Sequence, residues 1–138
     1  MTAREYLEQY READRILRRC REELENETVL IDAVRSVSDN DGMPHGSGIS
    51  KPTEDKAIRL ADKKLRLADA MVEAIRLRQE IFDTVMLIGG LEADVLIERY
   101  INLKPWDDVC KALNYSWFPV RSAWHRGEEK LEEILKTR

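Results

Sequence analysis

The sequence predicts an all-α protein, a long antiparallel helical (coiled-coil) hairpin followed by a three-helix, helix-turn-helix domain. Three observations carry that expectation. Of 138 residues, 36% are charged and 43% hydrophobic, whereas Gly (6) and Pro (4) are too few for the many turns of a sandwich or barrel. Apolar residues recur in steps of three and four over two long stretches, as on helices buried along one face. One Gly- and Pro-containing interval separates these stretches, and Gly89-Gly90 separates the second from a last third with shorter runs. The chain therefore divides into residues 1–90, a hairpin with a flexible loop near 39–52, and residues 91–138, a compact helical domain.

In the first stretch Tyr6, Tyr10, Ala13, Leu17, Cys20 and Leu24 form a heptad seam, continued by Ile31 and Val34. Glu27 interrupts it at a position that should be apolar. So narrow a stripe needs a partner helix. The pattern stops at Ser38, and the interval to Thr53 (SDNDGMPHGSGISKPT) has too little apolar surface to offset its ordering entropy, which predicts a loop. Its glycines lack the GxxxxGK[ST] order of a phosphate-binding loop.

A second helix is expected from about Glu54 to Ile88, with Thr53 as N-cap and Glu54 and Asp55 in the first turn, where the dipole favours acids. Its seam is read as Ala61, Leu65, Ala68, Val72, Ile75, Gln79, Phe82 and Met86. Tyr10, Leu17 and Leu24 are expected against Leu65, Val72 and Ile75, or against a second copy in a four-helix homodimer. Gly89-Gly90 should end the helix in a left-handed turn.

The last third reads as three helices. Leu91 to Ile101 presents Val95, Leu96 and Tyr100 to a core, and Asn102 to Lys104 form a turn. Pro105 opens a helix ending near Leu113, with Val109 and Leu113 inward and Cys110 as the small residue at a close crossing. Asn114 tolerates the left-handed conformation that the next turn needs, and Ser116 caps a final helix toward Leu135. That helix buries Val120, Ala123, Gly127, Leu131 and Ile134, which leaves Trp117, Phe118, Arg121, Ser122, His125 and Arg126 outward.

Composition narrows the function classes. Cys20 and Cys110 are too isolated in sequence for a disulfide framework or a cysteine-based zinc site. His45 and His125 are the only histidines and belong to no nucleophile–base spacing, so neither an enzyme nor a cofactor or metal is expected. No apolar run approaches membrane length and Met1–Tyr10 lacks a signal-peptide core, so no membrane partner and a cytoplasmic location in a bacterial host are expected. The net charge of −4 rules out nucleic-acid binding by bulk positive charge. A local patch remains: Val109 to Gly127 holds Lys111, Arg121 and Arg126 and no acid. Double-stranded DNA is the expected partner, read by Arg121, Ser122, His125 and Arg126 beside Trp117 and Phe118, with Lys111 on the phosphates.

These residues also carry a resemblance. Glu92-Ala93-Asp94-Val95-Leu96-Ile97-Glu98-Arg99-Tyr100-Ile101, then Trp106-Asp107-Asp108-Val109 and Leu113-Asn114-Tyr115-Ser116, resembles region four of sigma-70-type factors. The whole arrangement, with its Met-Pro-His-Gly-Ser-Gly loop, resembles small phage-encoded regulators of the RinA/ArpU type. The resemblance implies a prophage late-gene transcription activator whose tri-helical domain enters a promoter or operator major groove, with host RNA polymerase as a further partner and no cofactor. The chain departs from that pattern at Pro105, where a Ser or Thr cap is usual, and at Asn114, where Gly is usual. Trp117, Phe118 and Pro119 also stand where promoter readers carry polar side chains, and aromatics cannot make bidentate base contacts. The alternative expectation is a helical interaction module docking on polymerase or a phage packaging protein without reading DNA.

Overall fold

Heptad spacing dictates two long helices, and a computed structural model, which describes residues 1–39 and 51–138, contains both. Helix α1 spans Ala3–Asp39 and α2 spans Lys51–Met86. Three shorter helices follow: α3 (Gly90–Leu96), running into a π-helical turn at Ile97–Ile101, α4 (Trp106–Leu113) and α5 (Trp117–Lys136). All regular structure among the described residues is helical.

The boundaries refine the sequence expectation. Helix α1 runs through Ser38 to Asp39, and α2 begins at Lys51, which puts Thr53 inside the helix rather than at its N-cap. Pro52 fits such an early position, because a first-turn N–H has no intrahelical acceptor to lose. The expected loop residues Gly42, Met43, His45 and Gly48 lie outside the described residues, as do the side chains of Ile31 and Val34. Gly89 and Gly90 both take positive φ (70° and 65°), the backbone that ends a helix and that only glycine adopts freely.

The chain divides into two units. Unit 1 comprises Met1–Asp14 with Glu73–Arg138. Its main core joins Ala3, Tyr6 and Leu7 of α1, Ile81 and Val85 of α2, Ala93 and Leu96 of α3, Tyr100 and Ile101 of the π turn, and Leu131 of α5. Each fully buried aliphatic side chain there contributes about 1.5–3 kcal/mol. One polar group enters this core. Thr84 Oγ1 donates to the Glu80 carbonyl (2.9 Å), and its hydroxyl oxygen accepts from Arg138 (2.6 Å). With its proton so used, Thr84 is the acceptor of its 3.0 Å bond to the Tyr6 hydroxyl. A second cluster, Val95, Val109, Val120 and Ala123, joins α3, α4 and α5, with Leu91, Trp106, Cys110, Leu113 and Trp124 around it.

Gly127 sits where α5 meets α3. A methyl group there would stand 3.1 Å from Leu96 Cδ1 and 3.4 Å from Glu92 Cβ, so the buried Leu96 side chain would have to give by a few tenths of an ångström. The expected α5 stripe of Val120, Ala123, Gly127 and Leu131 is buried, with Ile134 half-buried.

Unit 2 is Arg15–Val72. On α1 its least exposed residues are Leu17, Cys20, Leu24 and Glu27, the expected face. On α2 they are Lys56, Leu60, Lys63, Leu67 and Ala70, which corrects the expected seam. Leu65 is 62% exposed and Val72 67%, and in unit 1 Ile75 is 65% exposed, so none of the three lies in a helix contact. The cause is a second heptad two residues away in α2, which puts a rival apolar stripe about 200° round the helix at 3.6 residues per turn. The buried heptad explains the interruption at Glu27: its carboxylate meets Lys63 Nζ at 3.0 Å, so the two charges stand together in their helices' inward faces.

Candidate nucleic-acid interface

The candidate interface is built on the turn from α4 to α5. Helix α4 ends at Leu113, and Asn114 takes φ 58°, ψ 42°, the left-handed backbone expected of it. The Asn114 N–H donates to the Lys111 carbonyl (3.3 Å) and the Tyr115 N–H to the Cys110 carbonyl (3.1 Å), so two of the orphan carbonyls at the end of α4 are satisfied. Ser116 is the N-cap of α5 in extended conformation, but its hydroxyl makes no capping bond. Pro105 caps α4 with no side-chain bond either, as its ring requires. Acids in the first turn of α4, Asp107 and Asp108, favour the helix instead, whereas the first turn of α5 has none.

The outward residues of α5 do not form one uniform face. Phe118, Arg121 and His125 are exposed at spacings of three and four, and Ser122 is half-buried beside them. Lys111 is exposed on α4 and lines a shallow cleft with Cys110, Asn114, Tyr115 and Ser116. Neither Lys111 nor Arg121 is ion-paired to a described residue. Further along α5 the exposed residues turn acidic at Glu129, Glu132 and Glu133.

Arg126 behaves differently. Its Nε donates to Glu92 on α3 (3.1 Å), and Lys130 approaches the same oxygen at 3.4 Å. The Glu92 side chain is 15% exposed, and its carboxyl is held below the ordinary range by its own backbone N–H first, then by Arg126 and Lys130. Arg126 thus ties α5 to α3.

Trp117 is similarly committed. It meets Trp106 edge-on (ring centroids 5.1 Å apart), and Trp106 in turn leans on Trp124 (4.6 Å), which stacks on His125 (4.8 Å). Trp124 Nε1 donates to the Tyr100 hydroxyl at 3.0 Å, while burial pushes the Tyr100 phenol up. The Arg4 guanidinium covers the Trp124 ring at 5.0 Å and pairs with Glu128 at 3.2 Å. Arg99 lies over Trp106 at 4.8 Å, its charge disfavoured by burial and by nearby Arg11.

Sequence reasoning missed this aromatic chain, the π turn and the left-handed Leu103 (φ 56°) that follows it. The π turn shows itself in the Asn102 N–H, which donates to the Ile97 carbonyl five residues back (2.9 Å). Periodicity gave the faces of these helices, but the extra residue and the ring contacts depend on neighbours distant in sequence. No described helix is long and apolar enough to cross a membrane. The chain matches no family model, no curated protein and no solved structure.

Proposed function

We propose that this protein is a DNA-binding transcription regulator of the phage type, in which α4, the Asn114 turn and α5 act as a helix-turn-helix. One observation carries the reading: the exposed N-terminal half of α5 follows a short left-handed turn and, with α4 beside it, presents unpaired Lys111 and Arg121 in an acid-free window. A helix so placed can enter a major groove with Arg121 at base edges, Ser122 and His125 beside it, and Lys111 on phosphate. The RinA/ArpU-type, sigma-region-four-like reading adds a promoter or operator as target, host RNA polymerase as partner and late-gene activation as outcome. The protein then acts by occupancy in the bacterial cytoplasm rather than by catalysis, and without a cofactor. The antiparallel hairpin belongs to the same proposal, supported within unit 1 by the Tyr6–Thr84 bond and within unit 2 by the Glu27–Lys63 pair.

The observation favouring the alternative, a docking module without DNA reading, is the exposed aromatic end of α5. Phe118 is 75% exposed and Trp117 43%, an apolar anchor suited to a protein surface such as polymerase or a packaging subunit. Fluorescence anisotropy with duplexes from the host and phage genomes, at two salt concentrations, separates the readings. DNA binding requires an affinity that falls with salt, and Arg121→Ala should cost about 1–3 kcal/mol at the preferred sequence. Salt-independent or absent duplex binding defeats it. Phe118→Ala is the probe for docking, because Trp117→Ala would also remove the contact with Trp106.

A further inference from the structure

The outward stripe of α2 in unit 2 has no role in the proposed DNA interface. Ile58, Leu65 and Val72 recur every seven residues, with Ala61 and Ala68 three residues after the first two, and all five are exposed. This is a complete two-heptad a/d pattern, lying on the far side of α2 from Leu60, Lys63 and Leu67. A soluble helix needs one apolar face to fold back on a neighbour, and α2 carries two.

We infer that this stripe pairs with the same stripe of a second copy of the chain, as a parallel, in-register two-helix coil. Charge selects both the occupant and its direction. With Ile58, Leu65 and Val72 at a, the flanking g position holds Lys64 and the e positions hold Asp62 and Asp69. In a parallel pair g of one helix faces the following e of the other, so Lys64 meets Asp69 of the second copy, twice by symmetry. An antiparallel pair, in which g faces g and e faces e, sets Lys64 against Lys64 and Asp62 against Asp62 in one register and Asp62 against Asp69 in the next, repulsive in each. An opposite-charge g–e pair occurs again two heptads on in the sequence of α2, at Arg78 and Asp83, with the uncharged g Met71 and the e Arg76 between. Alanine at d lets the backbones approach closely, and aliphatic residues at a fill the layers between. Both chains then leave α2 at the same end, and the dimer stands or falls independently of DNA binding.

Three aliphatic layers set against the cost of bringing two chains together give a dissociation constant on the order of micromolar. Sedimentation equilibrium of the full chain up to about 100 μM therefore tests it. A dimer is expected, and Leu65→Glu should abolish it while leaving helical circular dichroism unchanged, since Leu65 contributes little to the folded monomer. Lys64→Glu should weaken the dimer about two- to fivefold, and adding Asp69→Lys should restore it. For direction, Leu65→Cys and Val72→Cys are made separately in a Cys20→Ser, Cys110→Ser background and oxidised. In the parallel register each position meets its own copy within disulfide reach, so both variants should cross-link. A monomer at all concentrations, or a dimer indifferent to Leu65→Glu, overturns the assignment of the face. Cross-linking at only one of the two positions, or at neither, overturns the parallel register.

Discussion

The carboxy-terminal helices of unit 1 and the α2 segment of unit 2 are equally periodic, yet they use their apolar residues differently. In α5 one stripe, Val120, Ala123, Gly127 and Leu131, is buried, and the opposite side is polar or aromatic. In α2 the stripe Lys56–Leu60–Lys63–Leu67–Ala70 is only half-buried and includes two lysines, while Ile58, Leu65 and Val72 face outward. The first region is a core whose periodicity has a single solution. The second is a helix with two solutions, and it satisfies one of them with lysines in the seam.

The comparison breaks first on large-to-small substitution. Leu96→Ala, in the unit 1 core, should cost about 2–5 kcal/mol by urea denaturation, whereas Leu65→Ala should cost the monomer well under about 1 kcal/mol. Equal costs would mean that Leu65 is covered within one chain and that the contrast is false. Next in size is Gly127→Ala, which forces a methyl group to 3.1 Å from Leu96 and should destabilise by about 1–3 kcal/mol. Combined with Leu96→Ala it should cost less than the sum of the two, because the space removed by one is required by the other. Strict additivity in a double-mutant cycle would show that the α3–α5 contact is elsewhere.

What was legible in the sequence follows the same division. Val95, Leu96, Val109 and Val120 were expected in a core and are buried, and Asn114, Gly89 and Gly90 were expected in left-handed turns and have positive φ. Those features obey local rules of spacing and backbone sterics. The α2 seam was misread because Leu60–Leu67 and Leu65–Val72 have identical heptad spacing, and only a neighbour in space chooses between them. Arg126 looked like a groove contact from its position on α5, but its partner Glu92 is 34 residues away. Whether Arg121 and Lys111 touch DNA was legible only as charge on a face, since the ligand that would select the face is another molecule.

The seam charge gives a smaller test. Glu27→Leu with Lys63→Leu should be neutral or stabilising by about 1–2 kcal/mol, because two apolar side chains avoid the desolvation that the pair suffers. Glu27→Leu alone should destabilise, since it leaves Lys63 half-buried without its counter-ion. If the double variant is the less stable one, the pair is worth more than packing, and the inner seam of unit 2 is held by charge.

The smallest effect concerns Glu92, and it connects packing to the proposed function. Its carboxyl is held below the usual range in the folded state by its backbone N–H, Arg126 and Lys130, so the folded protein binds that proton less readily than the unfolded chain does. The stabilisation is therefore present above the ordinary carboxylate pKa and disappears as pH falls through the lower folded value. Thermal melts from neutral pH to about pH 3 should show a shallower acid loss for Glu92→Gln than for the native chain, with the two curves converging at the acid end. The same substitution removes the carboxylate that holds Arg126 to α3. If the acid-free half of α5 lies in a major groove, a released Arg126 can reach phosphate, and duplex affinity should rise with a steeper salt dependence, by about one counterion. If α5 docks on protein, Glu92→Gln should flatten the acid profile and leave duplex retention unchanged. Measured on one variant, the melt tests the α3–α5 tie and the salt slope tests what α5 is for.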